Sequence, residues 1–144
     1  MEIPKTEKGA AASTTVAEVM TKLVIAVRPA DGVGVATTRV IEERVGAVPV
    51  LDAEGLPLGV LTETDLLRAA VLGEDLRADE LMTGAMNAVH QGATLAFATA
   101  LMADCGEHRL IAVDDQGRAV GILSAIDVLR WLAKLTGYSL DPTS

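Results

Sequence analysis

The sequence predicts an α+β protein made of one supersecondary unit used twice, the copies related by a pseudo-twofold axis. Shifted by 62 positions, the chain falls on itself without a gap: Met20-Thr21 on Met82-Thr83, Asp52 on Asp114, Gly55 on Gly117, Gly59 on Gly121 and Asp65 on Asp127. Glu18/Glu80, Leu61/Leu123, Leu67/Leu129 and Arg68/Arg130 match in the same frame. The matched Gly and Asp residues close turns, and chance matching in an alanine- and valine-rich chain does not reproduce them. Within each copy, helical apolar periods alternate with short β-branched runs. Short stacking repeats make solenoids; two longer copies make a pair, with any site expected where they meet.

Each copy shows the same order of signals. Val16–Met20 and Asp79–Met82 read as short amphipathic helices leading into Thr21 and Thr83. Extended stretches follow at Val24–Val27 and Asn87–Val89. The next helix carries Leu95, Ala98, Met102 and Cys105 on one 3.6-residue face in the second copy. Val33, Ala36, Val40 and Ile41 play that part in the first, after the helix start Pro29-Ala30-Asp31-Gly32. Two apolar strands then flank a turn, Val48–Leu51 and Leu58–Leu61 around Asp52–Gly55, Leu110–Val113 and Val120–Leu123 around Asp114–Gly117. Their β-branched residues fall on both faces, so burial on both sides is expected. A second helix closes each copy, Asp65–Val71 and Asp127–Leu135, and neither half has enough core to stand alone.

Composition narrows the function. Half of the 144 residues are apolar, which excludes global disorder. No apolar run reaches the ~20 residues that span a bilayer, so no membrane association is expected. Residues 1–15 lack the apolar centre of a secretory signal and read as a flexible tail. The single Cys105 rules out an internal disulfide framework and suits a cytoplasmic setting. A net charge of −8, with one Phe, one Trp and one Tyr, argues against nucleic acid, which needs a basic face or stacking aromatics.

The junctions Gly59–Asp65 and Gly121–Asp127 carry the chemistry. Thr62 and Ser124, each followed three positions later by Asp, form a capping-box pattern, and on that pattern alone the structural reading is favoured. The functional alternative is a ligand site. Helix starts attract anions, and a fixed carboxylate accepts hydrogen bonds from a vicinal diol. Other constellations are poorer. Cys105 and His108 lack further ligands for a metal site, and Cys105 fits an apolar helix face. His90 and His108 sit beside no nucleophile arrangement, so no catalytic residue is assigned.

The strings VAEVMT, VGAVPVLDAEG and GVLTETDLLR resemble the first half of a CBS-domain pair, the Bateman module; ELMT, HRLIAVDDQG and GILSAIDVLR resemble the second. The resemblance implies a first βαββα CBS repeat at 16–72, a linker at 73–78, a second repeat at 79–135 and a C-terminal tail at 136–144. Small mixed sheets would be flanked by helices. It implies a stand-alone, non-enzymatic module that binds an adenine nucleotide (AMP, ADP, ATP or a relative such as S-adenosylmethionine) and transmits its state to a partner. The ribose carboxylates would be Asp65 and Asp127, with Thr62, Thr64 and Ser124 near the phosphate. Crossing of the pair would give Asp65 the segment Thr83, Met86–Asn87 and the cationic pair His108-Arg109. Asp127 would receive Thr21, Val24–Ile25, Val45 and Gly46. Phosphorylated ligands would then fill the Asp65 pocket first. Ile111 stands where the family usually has Pro, as at Pro49, and Glu107 stands where an apolar residue is usual, a carboxylate that would repel phosphate. Leu66, Leu67, Ala70, Val128, Leu129 and Leu132 suggest a homodimer. The alternative function is an interaction module whose carboxylates serve only as helix caps.

Overall fold

The computed structural model describes residues 5–23, 25–73, 75–83 and 87–137. In chain order the elements are α1 (Lys5–Ser13), α2 (Val16–Val19), β1 (Thr21–Lys22), α3 (Val33–Glu43), β2 (Ala47–Leu51), β3 (Pro57–Thr62) and α4 (Glu63–Leu72). They continue with α5 (Ala78–Leu81), β4 (Ala88–His90), α6 (Leu95–Cys105), β5 (Arg109–Val113), β6 (Ala119–Ser124) and α7 (Ala125–Leu135). The two hairpins are turned where Asp and Gly predict. Asp52 Oδ1 accepts the Glu54 and Leu56 N–H groups at 2.9 Å, and Gly55 takes a φ of 85° that a side chain rarely adopts.

The chain divides into two compact units that do not coincide with the two copies. One unit holds α1, α2, β1, β4, α6, β5, α7 and most of β6; the other holds α3, β2, β3, α4 and α5, with residues 117–119. The short helix that opens each copy therefore belongs with the main body of the other copy. In the first unit, Val16 is fully buried with Leu95, Ala98, Leu110 and Leu123, and the Val16 and Ala17 N–H groups donate to the Ala93 and Gln91 carbonyls at 2.9 Å. In the second, Ala78 and Leu81 join Val48, Leu61, Leu66 and Ala69, and the Ala78 N–H donates to the Asp31 carbonyl at 2.7 Å. Four residues are too few to hold a helix by propensity. These two stand because each buries its apolar side and finds carbonyl partners for its free N–H groups.

The first unit carries a four-stranded sheet in the order β1-β6-β5-β4, in which β1 runs antiparallel to β6 with Thr21 opposite Ile122, and β4 runs parallel to β5. The second carries the antiparallel pair β2-β3 with Ala47 opposite Thr62, and Val27 bridges to Val50 in parallel.

Buried apolar residues form a cluster in each unit, and each cluster takes residues from both ends of the exchange. Several expectations are corrected. Residues 1–15, expected to be a flexible tail, include the helix α1, whose Ala10-Ala11-Ala12 run favours helix and which contacts α6. The 73–78 linker ends one residue early, because Ala78 is buried at the start of α5. Cys105 is exposed: it is the last residue of α6, beyond Met102 where the buried face ends, and Gly106 turns the chain away at a φ of 66°. Ile41 also points to solvent, whereas Leu66, expected on an interface, lies in the core.

Candidate functional site

Both expected carboxylates sit at the third position of a helix. Thr62 ends β3 and caps α4: its Oγ1 accepts the Asp65 N–H at 3.2 Å, and Asp65 Oδ2 accepts the Thr62 N–H at 2.9 Å. Ser124 ends β6 and caps α7 in the same way, with distances of 3.1 and 3.0 Å. The capping reading of the motif is thus correct for both copies. It leaves each carboxylate with an oxygen, or lone pairs, directed elsewhere.

What lies there comes from the segment that opens the opposite copy. Thr21 Oγ1 donates to Asp127 Oδ1 at 3.4 Å, and Thr83 Oγ1 donates to Asp65 Oδ2 at 3.4 Å. The exchange of short helices brings this about. α2 delivers Thr21 to the edge of β6, and α5 delivers Thr83 to β3, where Thr83 and Val60 trade backbone hydrogen bonds of 3.0 and 3.2 Å. Thr21 is thus brought to Asp127 and Thr83 to Asp65.

The two carboxylates differ in what else they meet. Asp65 is 3% exposed, and Arg68, one turn along α4, brings a guanidinium nitrogen to 3.6 Å of its Oδ1. Asp127 is half-buried and, among the described residues, has no ion pair. The Arg68 partner was legible as an Asp and Arg three apart; the difference in burial between two matched positions was not.

The strand starts fall beside the cap of their own copy. The His108 carbonyl accepts the Ala125 N–H at 2.8 Å, and the Gly46 carbonyl accepts the Glu63 N–H at 3.3 Å. His108 and Arg109 therefore share a unit with Asp127, while the unit of Asp65 has Gly46 and Ala47 at the matching places. The expected grouping put His108 and Arg109 with Asp65, which belongs to the other unit. Arg109, half-buried, opens β5, the strand next to β6, which Ser124 ends.

Among the remaining residues, Thr64 is exposed on the first turn of α4, and the Asn87 carbonyl accepts the Ile111 N–H at 3.1 Å. Ile25 packs against the core of the second unit, and the Val45 N–H donates to the Val40 carbonyl at 3.3 Å. Val24 and Met86 lie outside the described residues. One pairing was missed: His90 Nε2 lies 2.6 Å from Asp115 Oδ1, and the Gly92 N–H donates to His90 Nδ1 at 2.9 Å. With Nδ1 accepting, Nε2 carries the proton given to Asp115. This exposed bracket fastens the turn after β4. No helix among the described residues is long and apolar enough to cross a membrane.

A family profile described as the CBS domain matches residues 16–72 and 78–134. The chain belongs to the CBS-domain family. It carries two CBS domains in tandem, the second matched one residue ahead of the expected start. The structure of CBSX2 in complex with AMP superposes with a TM-score of 0.72 at 26% identity, over 85% of this chain and 98% of that one. A CBS domain pair solved with 5′-methylthioadenosine and S-adenosyl-L-methionine gives a TM-score of 0.76 at 22% identity, again over 85% and 98%, and shares the fold. Among curated relatives, an uncharacterised protein of Methanopyrus kandleri is 29% identical over 122 residues, 82% of this chain and 62% of the relative. Inosine-5′-monophosphate dehydrogenase of Methanocaldococcus jannaschii is 30% identical over 113 residues, 78% of this chain and 22% of the enzyme. The chain spans 22% and 62% of the lengths of the first two curated relatives it matches.

Proposed function

We propose that this CBS-domain pair is a regulatory module that binds an adenosine nucleotide, without chemistry of its own, and passes its state to a partner. The observation that carries the reading is the recurrence, in both units, of a helix-start carboxylate met by a threonine from the opposite copy. A carboxylate that keeps free lone pairs at a helix start is suited to a ribose diol, and the N-terminal end of the helix favours a phosphate nearby. The AMP complex of CBSX2 supports an adenosine ligand.

The site in the first unit is the tighter one in this proposal. Asp127 holds the ribose and Thr21 supports it; Ser124, His108 and Arg109 face the phosphate. Arg presents a planar fork of donors that matches phosphate oxygens. The site in the second unit would use Asp65, Thr62, Thr64, Thr83 and Gly46, with Ile25 and Val45 as further backbone or apolar contacts to the base. Its carboxylate is buried and engaged by Arg68, which leaves it the weaker of the two.

A homodimer is the assembly we propose. Leu67, Val71 and Leu129 are 66%, 87% and 57% exposed, and a groove of about 540 Å³ between α3 and α4 is lined by Val33, Val40, Ile41 and Leu67. Two-fold pairing is the commonest way to cover such a surface. The rival reading, a module that binds no ligand, draws support from the two satisfied capping boxes. A thermal-shift panel of AMP, ADP, ATP and S-adenosylmethionine separates the two, since a ligand selective for the folded state raises the melting temperature. A rise with at least one of them is expected; a flat panel supports the rival.

A further inference from the structure

We infer that Gly59 and Gly121 are positioning residues for the two ligand carboxylates, each leaving a hollow that a methionine sulfur fills. The inference rests on the reading of Asp65 and Asp127 as ligand groups. A Cβ on Gly121 would stand 2.6 Å from Met20 Sδ and 2.8 Å from the Thr21 carbonyl oxygen. A Cβ on Gly59 would stand 2.7 Å from Met82 Sδ and 2.6 Å from the Thr83 carbonyl oxygen. Neither glycine has a positive φ, so backbone freedom does not call for glycine here. Space does. Gly32, Gly34 and Gly73, by contrast, have nothing within 4 Å of the same construction.

The arrangement occurs once in each unit, built from residues distant in sequence. The short helix presents a half-buried methionine, its sulfur drops onto the glycine, and the next residue is the threonine that meets the carboxylate. Sulfur is soft and the thioether unbranched, which suits it to an irregular gap of this kind. The threonine hydroxyls sit 3.4 Å from their carboxylates, at the outer limit of a hydrogen bond. A displacement of a few tenths of an ångström would end the contact. A Cβ facing a backbone oxygen would impose more than that, because ordinary contact begins at 3.4 Å. The carboxylate would then keep its capping bond but lose the donor that comes from the opposite copy. Each glycine thus controls one site: Gly121 that of Asp127, Gly59 that of Asp65.

The test uses the full chain with Gly121→Ala, Gly59→Ala, Met20→Ala and Met82→Ala, the last two emptying the hollow without touching the backbone. Methyl resonances of Met20, Thr21, Met82 and Thr83 report the seat, and calorimetry with AMP reports the consequence. Gly121→Ala is expected to move the Thr21 and Met20 methyls, leave those of Thr83 and Met82 in place, and weaken the tight AMP site by about tenfold, the scale of one hydrogen bond to a charged group. Gly59→Ala should do the reverse and spare the tight site. Should Gly121→Ala fail to fold, Met20→Ala should move the Thr21 methyl and weaken the same site severalfold. Unmoved threonine methyls, or a tight site indifferent to both Gly121→Ala and Met20→Ala, overturn the inference. Wild-type protein that binds no AMP refutes the ligand reading instead, and the methyl shifts still decide whether the glycines set the threonines.

Discussion

Thr62 and Ser124 each serve a helix and a carboxylate at once, so their loss has a structural cost separable from any effect on a ligand. Thr62→Ala and Ser124→Ala are expected to lower stability by about 1 kcal/mol each, the usual value of an N-cap. The measurement is the urea midpoint, which should fall while the slope stays constant. A change below a few tenths of a kcal/mol would mean that the capping bonds of 3.1–3.2 Å contribute little. At this scale much was legible, because a hydroxyl residue three positions before an acid has a local meaning. The same locality hid the contrast between Asp65 and Asp127, which depends on how deeply each helix start is buried. It also hid the His90–Asp115 bracket, whose members lie 25 residues apart.

The exchanged helices α2 and α5 set the behaviour at the level of elements. Leu81 belongs to a four-residue helix, yet it is 8% exposed and packs in the core of the second unit. Leu81→Ala should therefore cost about 2–5 kcal/mol, as for a leucine in any core position. Thermal or urea unfolding decides this; a loss below about 1 kcal/mol would show that α5 is a loosely held appendage. The strands, hairpin turns and longer helices were readable from periodicity and from matched Gly and Asp residues. Which body each short helix joins was implied by the family resemblance and not by periodicity, because the apolar face of Val16–Val19 suits either core. Local sequence does not set which carboxylate His108 and Arg109 serve either. The sequence marks a strand start but not the cap beside which it lies.

For the whole molecule, exchange means that neither copy is a folding unit by itself. A fragment of residues 16–72 lacks Ala78 and Leu81 and leaves Val16 without Leu95, Ala98 and Leu123. It should show no cooperative thermal transition; a sharp one would contradict the division into exchanged units. Assembly belongs to this scale as well. Light scattering at micromolar concentration should give twice the chain mass of 14.9 kDa, and the monomer mass would leave the exposed leucines without a partner. With a net charge of −8 the molecule as a whole repels anions, so any anionic ligand must be held by local donors. The most direct test is calorimetry of AMP against wild type, Arg109→Ala, Asp127→Ala and Asp65→Ala. One charge-assisted contact to phosphate is worth about 1.5–3 kcal/mol, or roughly tenfold to a hundredfold in affinity. Arg109→Ala and Asp127→Ala should each weaken the tight site by at least about tenfold, while Asp65→Ala leaves it intact. A damaging Asp65→Ala, or a silent Arg109→Ala, would contradict the assignment.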